Sequence, residues 1–235
     1  ASLPLMLVAV RMKLPTVIHE ANAVLGRANR LLAPKVSAIA TSFDNTTGLA
    51  GVHRGKEVRT GVPVRTDIIS LRGKASRPLS LDSKIQLLVI GGSQGSRVLS
   101  EVVPAALAQM PSYLKTRLVV AHQCRAIDRD KVATAFKIGG INASVSPFIE
   151  DMAAALGAAH LVISRSGAST VAELAAAGRP ALLVPFPHAT DDHQTANARA
   201  LVDAGGAWMM HEKDFKVPKL KTWLVDLLGD PRVLA

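Results

Sequence analysis

The sequence predicts an α/β protein, with parallel sheets covered by helices on both faces. Three observations carry that prediction. From Lys84 onward, apolar runs at 85–90, 118–121, 161–163 and 181–184 alternate with helical stretches beginning near Gly95, Asp128, Glu150, Gly167 and Asp192. Such alternation is the pattern of a parallel sheet with crossover helices. Two of the runs end in small-residue turns that open helices, Ile90-Gly-Gly-Ser-Gln-Gly-Ser96 and Ser164-Arg-Ser-Gly167. Finally, 235 residues with 49% apolar and 20% charged side chains are enough for one large core or two modest ones.

The front of the chain offers a helix to about Lys13, a strand at 16–18, a helix near 28–33 and a strand at 37–41, about half of a second α/β domain. We divide the chain into a front domain at 1–63, a linker at 64–83 and a back domain at 84–235. Gly61-Val-Pro-Val-Arg-Thr66 and the polar run 72–83 carry the glycines, prolines and basic residues of a connection. The apolar opening at 2–10 is interrupted by Pro4, has no basic residues before it, and is far shorter than the roughly 20 residues of a spanning helix, so it reads as neither signal nor anchor. A helical pattern beginning at Ala1, without an initiator Met, reads as a piece of a longer protein or as a trimmed terminus.

Charge narrows the partners. The 28 Lys and Arg against 18 Asp and Glu give +10, which favours nucleotides, acidic lipid headgroups or nucleic acid. Nucleic acid ranks low, because five Phe, two Trp and one Tyr are scattered without the interleaving that base stacking needs. A single cysteine, Cys124, rules out an internal disulfide framework and fits a reducing, cytoplasmic setting.

The chemistry lies in the turns. The first N–H groups of a helix have no partner within it and the macrodipole is positive there, so the turn through Gly167, Ala168, Ser169 and Thr170 can hold phosphate without a Lys. Glu173, six residues beyond Gly167, is placed to miss the phosphates and accept from a ribose diol. Phosphate and diol together mean a nucleotide. The loop with Ser93 is a second phosphate loop; it lacks the glycine spacing of dinucleotide folds and the Lys-Ser/Thr ending of the P-loop, which weakens hydride transfer and ATP hydrolysis. One glycine turn is as often plain punctuation as ligand site, and two in one sheet favour the ligand.

Arg65 could place a positive charge over a pyrophosphate, or be a solvated linker arginine. Arg165, in the turn itself, reads as ligand contact or cleft support. Gln194 and Asn197 share a helix face and could bond sugar hydroxyls. His188, Asp191, Asp192 and His193 match no usual zinc spacing, and an Asp at a helix start is usually a cap, so no metal is expected. His19 closes a strand beside Glu20 and Asn22, where it could act as general base or acid; a structural histidine is the commoner role.

These residues resemble the MurG family of glycosyltransferases, which add N-acetylglucosamine from UDP-GlcNAc to lipid I in bacterial peptidoglycan synthesis. Six segments match in order: His19-Glu-Ala-Asn-Ala-Val-Leu-Gly-Arg-Ala-Asn-Arg-Leu-Leu-Ala33, Gly61-Val-Pro-Val-Arg65, Gly91-Gly-Ser-Gln-Gly95, Phe148-Ile-Glu-Asp-Met152, Arg165-Ser-Gly-Ala-Ser-Thr-Val-Ala-Glu173 and His193-Gln-Thr-Ala-Asn197. The resemblance implies the GT-B architecture of two Rossmann-like domains, the back one holding UDP-GlcNAc and the front one the lipid acceptor.

By the same resemblance Arg65, Ser93 and Gln94 approach the phosphates, the backbone at Ile149 meets the uracil, Ala168 to Glu173 hold the nucleotide, Gln194 and its neighbours contact the GlcNAc, and Asn22 lies on the donor-facing edge. It implies inverting displacement without a cofactor, with UDP leaving into helix dipoles and an Arg instead of a metal, on the cytoplasmic face of an anionic membrane.

The chain departs from the family in lacking an N-terminal glycine loop with its His, in Ala21 where Gln is usual, and in stopping before the last helices. Two alternatives stand beside this reading: a UDP-sugar-binding half that needs a partner chain, and a UDP-sugar epimerase, for which the front offers only His19 and Glu20 as acid and base.

Overall fold

The computed structural model describes residues 3–49, 51–74, 80, 83–92 and 95–230. The front of the chain forms helix α1 (Leu3–Arg11), β1 (Val17–Glu20), α2 (Arg27–Leu32), β2 (Ala38–Thr41), a 3₁₀ segment (Gly51–Lys56) and β3 (Glu57–Arg59). The strands make a parallel sheet ordered β1-β2-β3. Its core is Ile18, Leu25, Leu32, Val36, Ile39 and Leu49. In β1 the alternation of burial turns Ile18 and Glu20 inward and leaves Val17 and His19 exposed. Thr66–Ile69, inside the stretch read as a connection, is a helical turn, α3, and its fully buried Ile68 belongs to a core of the back sheet.

The back of the chain runs β4 (Ile85–Ile90), α4 (Arg97–Ala108), α5 (Ser112–Lys115), β5 (Leu118–Gln123), α6 (Arg129–Ile138), β6 (Asn142–Ser146), α7 (Met152–Ala158), β7 (Leu161–Ser164), α8 (Ala168–Ala177), β8 (Ala181–Leu183), α9 (His193–Asp203), β9 (Ala207–Met209) and α10 (Val217–Gly229). All six strands are parallel in the order β6-β5-β4-β7-β8-β9. The doubly wound α/β fold expected from the sequence is therefore present, with β6, β9 and α10 added to the elements read there.

Alternation along the central strands feeds two cores. Leu87, Val89, Leu161 and Ile163 face α4, α6 and α10, whereas Leu88, Ile90, Val162 and Leu183 face α3, α7, α8 and α9. Burial on both sides explains why β8 and the first three residues of β7 are apolar. The order reverses between β4 and β7: successive crossovers lead away from β4 on one side, and the chain returns to continue on the other. In an open α/β sheet the crevice outside the carboxyl ends at this reversal is where ligands bind. Among the described residues no helix is long and apolar enough to cross a membrane.

Candidate functional site

At the carboxyl end of β7 the chain turns through Arg165, Ser166 and Gly167 into α8. Gly167 is the N-cap, at φ −62° and ψ 149°, and no side chain caps the helix. The N–H of Val171 bonds back to the Gly167 carbonyl at 3.0 Å, so those of Ala168, Ser169 and Thr170 have no partner within the helix. These residues line a cleft of about 750 Å³.

Neither the backbone nor the neighbours require glycine at 167. Its φ suits any residue, and a Cβ there would meet nothing nearer than Thr170 Oγ1 at 3.9 Å. What glycine provides is a bare main chain that a ligand can approach closely. Gly167→Ala is expected to change stability by less than about 1 kcal/mol and to weaken UDP binding about tenfold or more, the added methyl standing in front of the N–H groups. Calorimetry with UDP beside a urea denaturation curve checks both; unchanged affinity would show that nothing docks against this turn.

Across the reversal, β4 ends in the glycine loop. A Cβ on Gly91 would lie 2.4 Å from the Ser96 nitrogen, and Gly95 has φ +69° with Arg125 close behind it, so here glycine is demanded by the protein itself. Ser93 and Gln94 lie outside the described residues. The loop leads into α4, whose N-cap Ser96 makes no side-chain cap bond. Gly91, Gly92, Gly95, Ser96 and Arg97 line the same cleft. Two uncapped helix N-termini, one on each side of the strand reversal, thus open on a single space, and their positive ends favour a dianionic group between them.

The cleft wall is braced from behind. Arg165, 11% exposed in its side chain, is fixed by Glu212 Oε2 at 2.5 Å and by the carbonyls of Val184 and Pro185 at 3.1 and 3.2 Å, and its guanidinium lies over the Phe186 ring. That geometry is cleft support, while the residue still borders the space. Gln194 also lines it, its Oε1 accepting from the Phe186 N–H at 3.0 Å. Gln123, at the end of β5, donates to the carbonyls of Gly92 at 3.2 Å and Pro147 at 3.4 Å, linking the glycine loop to the loop that carries Ile149. Ile149 packs against the core beneath that loop, beside an exposed Phe148.

Glu173 and Arg65 sit together one turn along α8, with 4.0 Å between Oε1 and Nε. Partial burial pushes the Glu173 carboxyl up, with Arg65 opposing. Arg65 is thus near the carboxylate expected to meet a ribose. His19 is exposed and makes contacts through Nε2 with the Gly61 carbonyl at 3.0 Å and Ser42 Oγ at 3.2 Å. Glu20, offered with His19 as the acid and base of an epimerase, is instead buried and takes four N–H donors, from Asn22 and Gly26 of the following loop and Asn29 of α2. Asn197, read as a sugar contact, is fully buried at the seam between the two sheets, where it bonds Asn22 and Ala23. The structure therefore groups Arg165, Gly167, Ala168, Ser169, Thr170 and Gln194 around one cleft, pairs Glu173 with Arg65 beside it, and joins Asn22 to Asn197. Gln123 and Glu212 went unread because each acts on a partner far away in sequence.

Residues 86–235 match the glycosyltransferase family 28 C-terminal domain. The chain is 50% identical over its full length to the UDP-N-acetylglucosamine–N-acetylmuramyl-(pentapeptide) pyrophosphoryl-undecaprenol N-acetylglucosamine transferase of Paramagnetospirillum magneticum, covering 63% of that protein. With the transferase of the same name from Granulibacter bethesdensis it shares 52% identity over 94% of this chain and 57% of the relative. In three dimensions it is similar to the crystal structure of Acinetobacter baumannii MurG, with a TM-score of 0.79 and 33% identity over 99% of this chain and 64% of that one. The chain spans about six-tenths of the length of these relatives. With the domain match covering the whole back sheet, the chain belongs to glycosyltransferase family 28.

Proposed function

We propose that this chain is the donor-binding part of an inverting glycosyltransferase that moves N-acetylglucosamine from UDP-GlcNAc to lipid I, the undecaprenyl-pyrophosphoryl-MurNAc-pentapeptide, forming lipid II for peptidoglycan. The observation that carries the proposal is the pair of uncapped helix N-termini, α4 and α8, opening on one cleft at the strand reversal. A diphosphate held there has its charge met by N–H groups already in position. As the bond from the sugar's anomeric carbon to the phosphate oxygen breaks and the acceptor hydroxyl attacks from the opposite side, the negative charge grows on the diphosphate, where the helix dipoles stabilise it. Glu173 accepts from the ribose, Ile149 borders the uracil, and Gln194 faces the sugar. The net charge of +10 and the exposed Leu5, Leu7 and Val8 of α1 support peripheral attachment to an anionic membrane surface.

Calorimetry of the 235-residue chain with UDP-GlcNAc, UDP-glucose and ADP-ribose tests the donor assignment. UDP-GlcNAc is expected to bind selectively, and Glu173→Ala to weaken it by a factor of about ten to a hundred, the range for losing hydrogen bonds to a charged acceptor. Binding of ADP-ribose as tight as UDP-GlcNAc, or of no nucleotide at all, would reject the reading. In a second reading the chain is a donor-binding half that needs a partner chain for transfer. UDP release from UDP-GlcNAc with lipid I present and this chain alone would exclude it.

A further inference from the structure

At the seam between the two sheets, every hydrogen-bonding atom of one buried side chain has a distant partner. Asn197, on α9, is 0% exposed. Its Oδ1 accepts the Ala23 N–H at 2.8 Å, and its Nδ2 donates to Asn22 Oδ1 at 3.1 Å and to the Ser166 carbonyl at 3.2 Å. Asn22 and Ala23 belong to the loop after β1 in the front sheet. Ser166 immediately precedes Gly167, the N-cap of α8.

Both ends of this contact are themselves held. Asn22 donates to Glu20 Oε1 through its main-chain N–H at 3.0 Å and its Nδ2 at 3.2 Å, while Glu20 Oε2 accepts from Gly26 N–H and Asn29 Nδ2 at 2.8 Å each. On the other side Ser166 Oγ donates to the Gln194 carbonyl at 2.9 Å. A continuous line of hydrogen bonds therefore runs from the front loop, through Asn197, to the turn whose next N–H groups face the cleft.

The chemistry of the seam selects an amide. One N–H needs an acceptor and two carbonyl-type oxygens need donors, and a neutral carboxamide is the side chain that offers one acceptor and two donors. A carboxylate of the same shape would turn oxygen towards both oxygens. An apolar residue would leave three buried polar groups unpaired, the costly case.

We infer that Asn197 is a positioning residue that holds the Asn22–Ala23 loop in register with the N-terminus of α8, so that a nucleoside diphosphate bound at that turn stabilises the front loop. This inference rests on the reading of the cleft as a diphosphate site. A phosphate on the first N–H groups of α8 restrains the Ser166–Gly167 main chain. Restraining the Ser166 carbonyl fixes Asn197 Nδ2, and through the same amide group the acceptor of Ala23 N–H. The coupling is reciprocal in free energy: whatever the ligand adds to the loop's stability, the closed loop adds to the ligand's affinity.

Amide hydrogen exchange at Ala23 tests this directly in the full 235-residue chain, with UDP as the probe and calorimetry run beside it. In the unliganded protein Asn197→Ala is expected to speed Ala23 exchange by about tenfold or more, as the loss of a buried hydrogen bond implies. Saturating UDP is expected to slow Ala23 exchange in the native protein and to leave it unchanged in Asn197→Ala, although the variant still binds UDP within about threefold, because the ligand touches only the back sheet. Asn22→Ala, which keeps the bonds to Ala23 and Ser166, is expected to retain the UDP effect and serves if Asn197→Ala does not fold.

Bound UDP with no change in Ala23 exchange overturns the inference and leaves the cleft reading standing. The same holds if Asn197→Ala keeps the UDP effect. Failure of the native chain to bind UDP overturns the cleft reading and the ligand-linked part of this inference with it, and unaltered Ala23 exchange in unliganded Asn197→Ala overturns the tie itself.

Discussion

Replacing Arg179 by methionine is expected to destabilise the chain by about 3 kcal/mol, the range for removing a buried charged donor that serves several carbonyl groups. Arg179 is 4% exposed, and its guanidinium donates to the carbonyls of Leu156 at 2.8 Å, Lys74 at 3.2 Å, and Gly157 and Gly178 at 3.3 Å. Leu156 and Gly157 are in the last turn of α7, where carbonyls carry the negative end of the dipole; the Leu156 carbonyl also accepts from the Ala159 N–H at 3.2 Å. Gly178 ends α8 with φ +61°, and Lys74 belongs to the connection from the front sheet. Burial lowers the Arg179 pKa, yet an arginine remains charged, and four carbonyl dipoles replace its water.

Methionine keeps the aliphatic length and removes only the donors, so the buried Leu156 carbonyl is left with the Ala159 N–H alone and the part-buried carbonyls of Lys74, Gly157 and Gly178 lose their charged partner. Arg179→Lys is expected to cost about half as much, since an ammonium is a point donor that does not span a fork. Urea denaturation of both variants gives the values. A loss under about 1 kcal/mol for methionine would mean that water replaces the guanidinium easily and that the connection is anchored by other contacts, such as the buried Ile68.

Arg179 also marks the limit of what the sequence discloses. The runs at β4, β7 and β8 are legible because central parallel strands are buried on both faces and so are predominantly apolar, with only Gln86 and the terminal Ser164 as polar members. Edge strand β6, Asn-Ala-Ser-Val-Ser, is half solvated and polar, and β9 has only three residues; neither offers a pattern. Helix α10 does carry local signals: Pro218 stands at its start and Leu220, Leu224, Leu227 and Leu228 mark one buried face.

The same division holds at the cleft. A glycine turn between strand and helix is a local signal, so the loops after β4 and β7 could be read from a few residues. The groups that brace them could not be, because Arg165 meets Glu212 at a separation of 47 residues, Gln123 meets Gly92 at 31, and Asn197 meets Ala23 at 174. Sequence displays the identity of each partner, but the pairing exists only after the sheets have formed. For the same reason Glu20 read as a free acid: the donors that occupy it are main-chain N–H groups and asparagines whose direction is set by the fold.

His122→Leu is expected to remove much of the chain's acid sensitivity. His122, on β5, is 1% exposed, lies edge-on to Phe136 with ring centroids 5.6 Å apart, and has no hydrogen-bond partner at either ring nitrogen. Burial pushes its pKa down from 6.5 to about 4. Above pH 6.5 the ring is neutral in folded and unfolded chains alike and contributes no pH dependence. As the pH falls from 6.5 towards 4, the unfolded chain takes up a proton that the folded one refuses, so stability declines through that window and levels off below it. At about 1.4 kcal/mol per pH unit the interval amounts to about 3 kcal/mol.

Leucine fills nearly the same volume without a titrating group. It loses the aromatic edge contact, worth about 1 kcal/mol, and relieves the burial of two unpartnered nitrogens, so at pH 7.5 the variant is expected to match the native chain within about 1 kcal/mol. At pH 4.5 it should be more stable by about 2 kcal/mol. Urea denaturation at the two pH values measures the difference, and parallel losses in both proteins would place the acid-sensitive group elsewhere. His122 is followed in β5 by Gln123, which grips the glycine loop through the Gly92 carbonyl. Because the folded ring takes its proton only near pH 4, UDP affinity of the folded native chain is expected to follow that of His122→Leu between pH 6.5 and 4.5 and to fall below it only as the pH approaches 4.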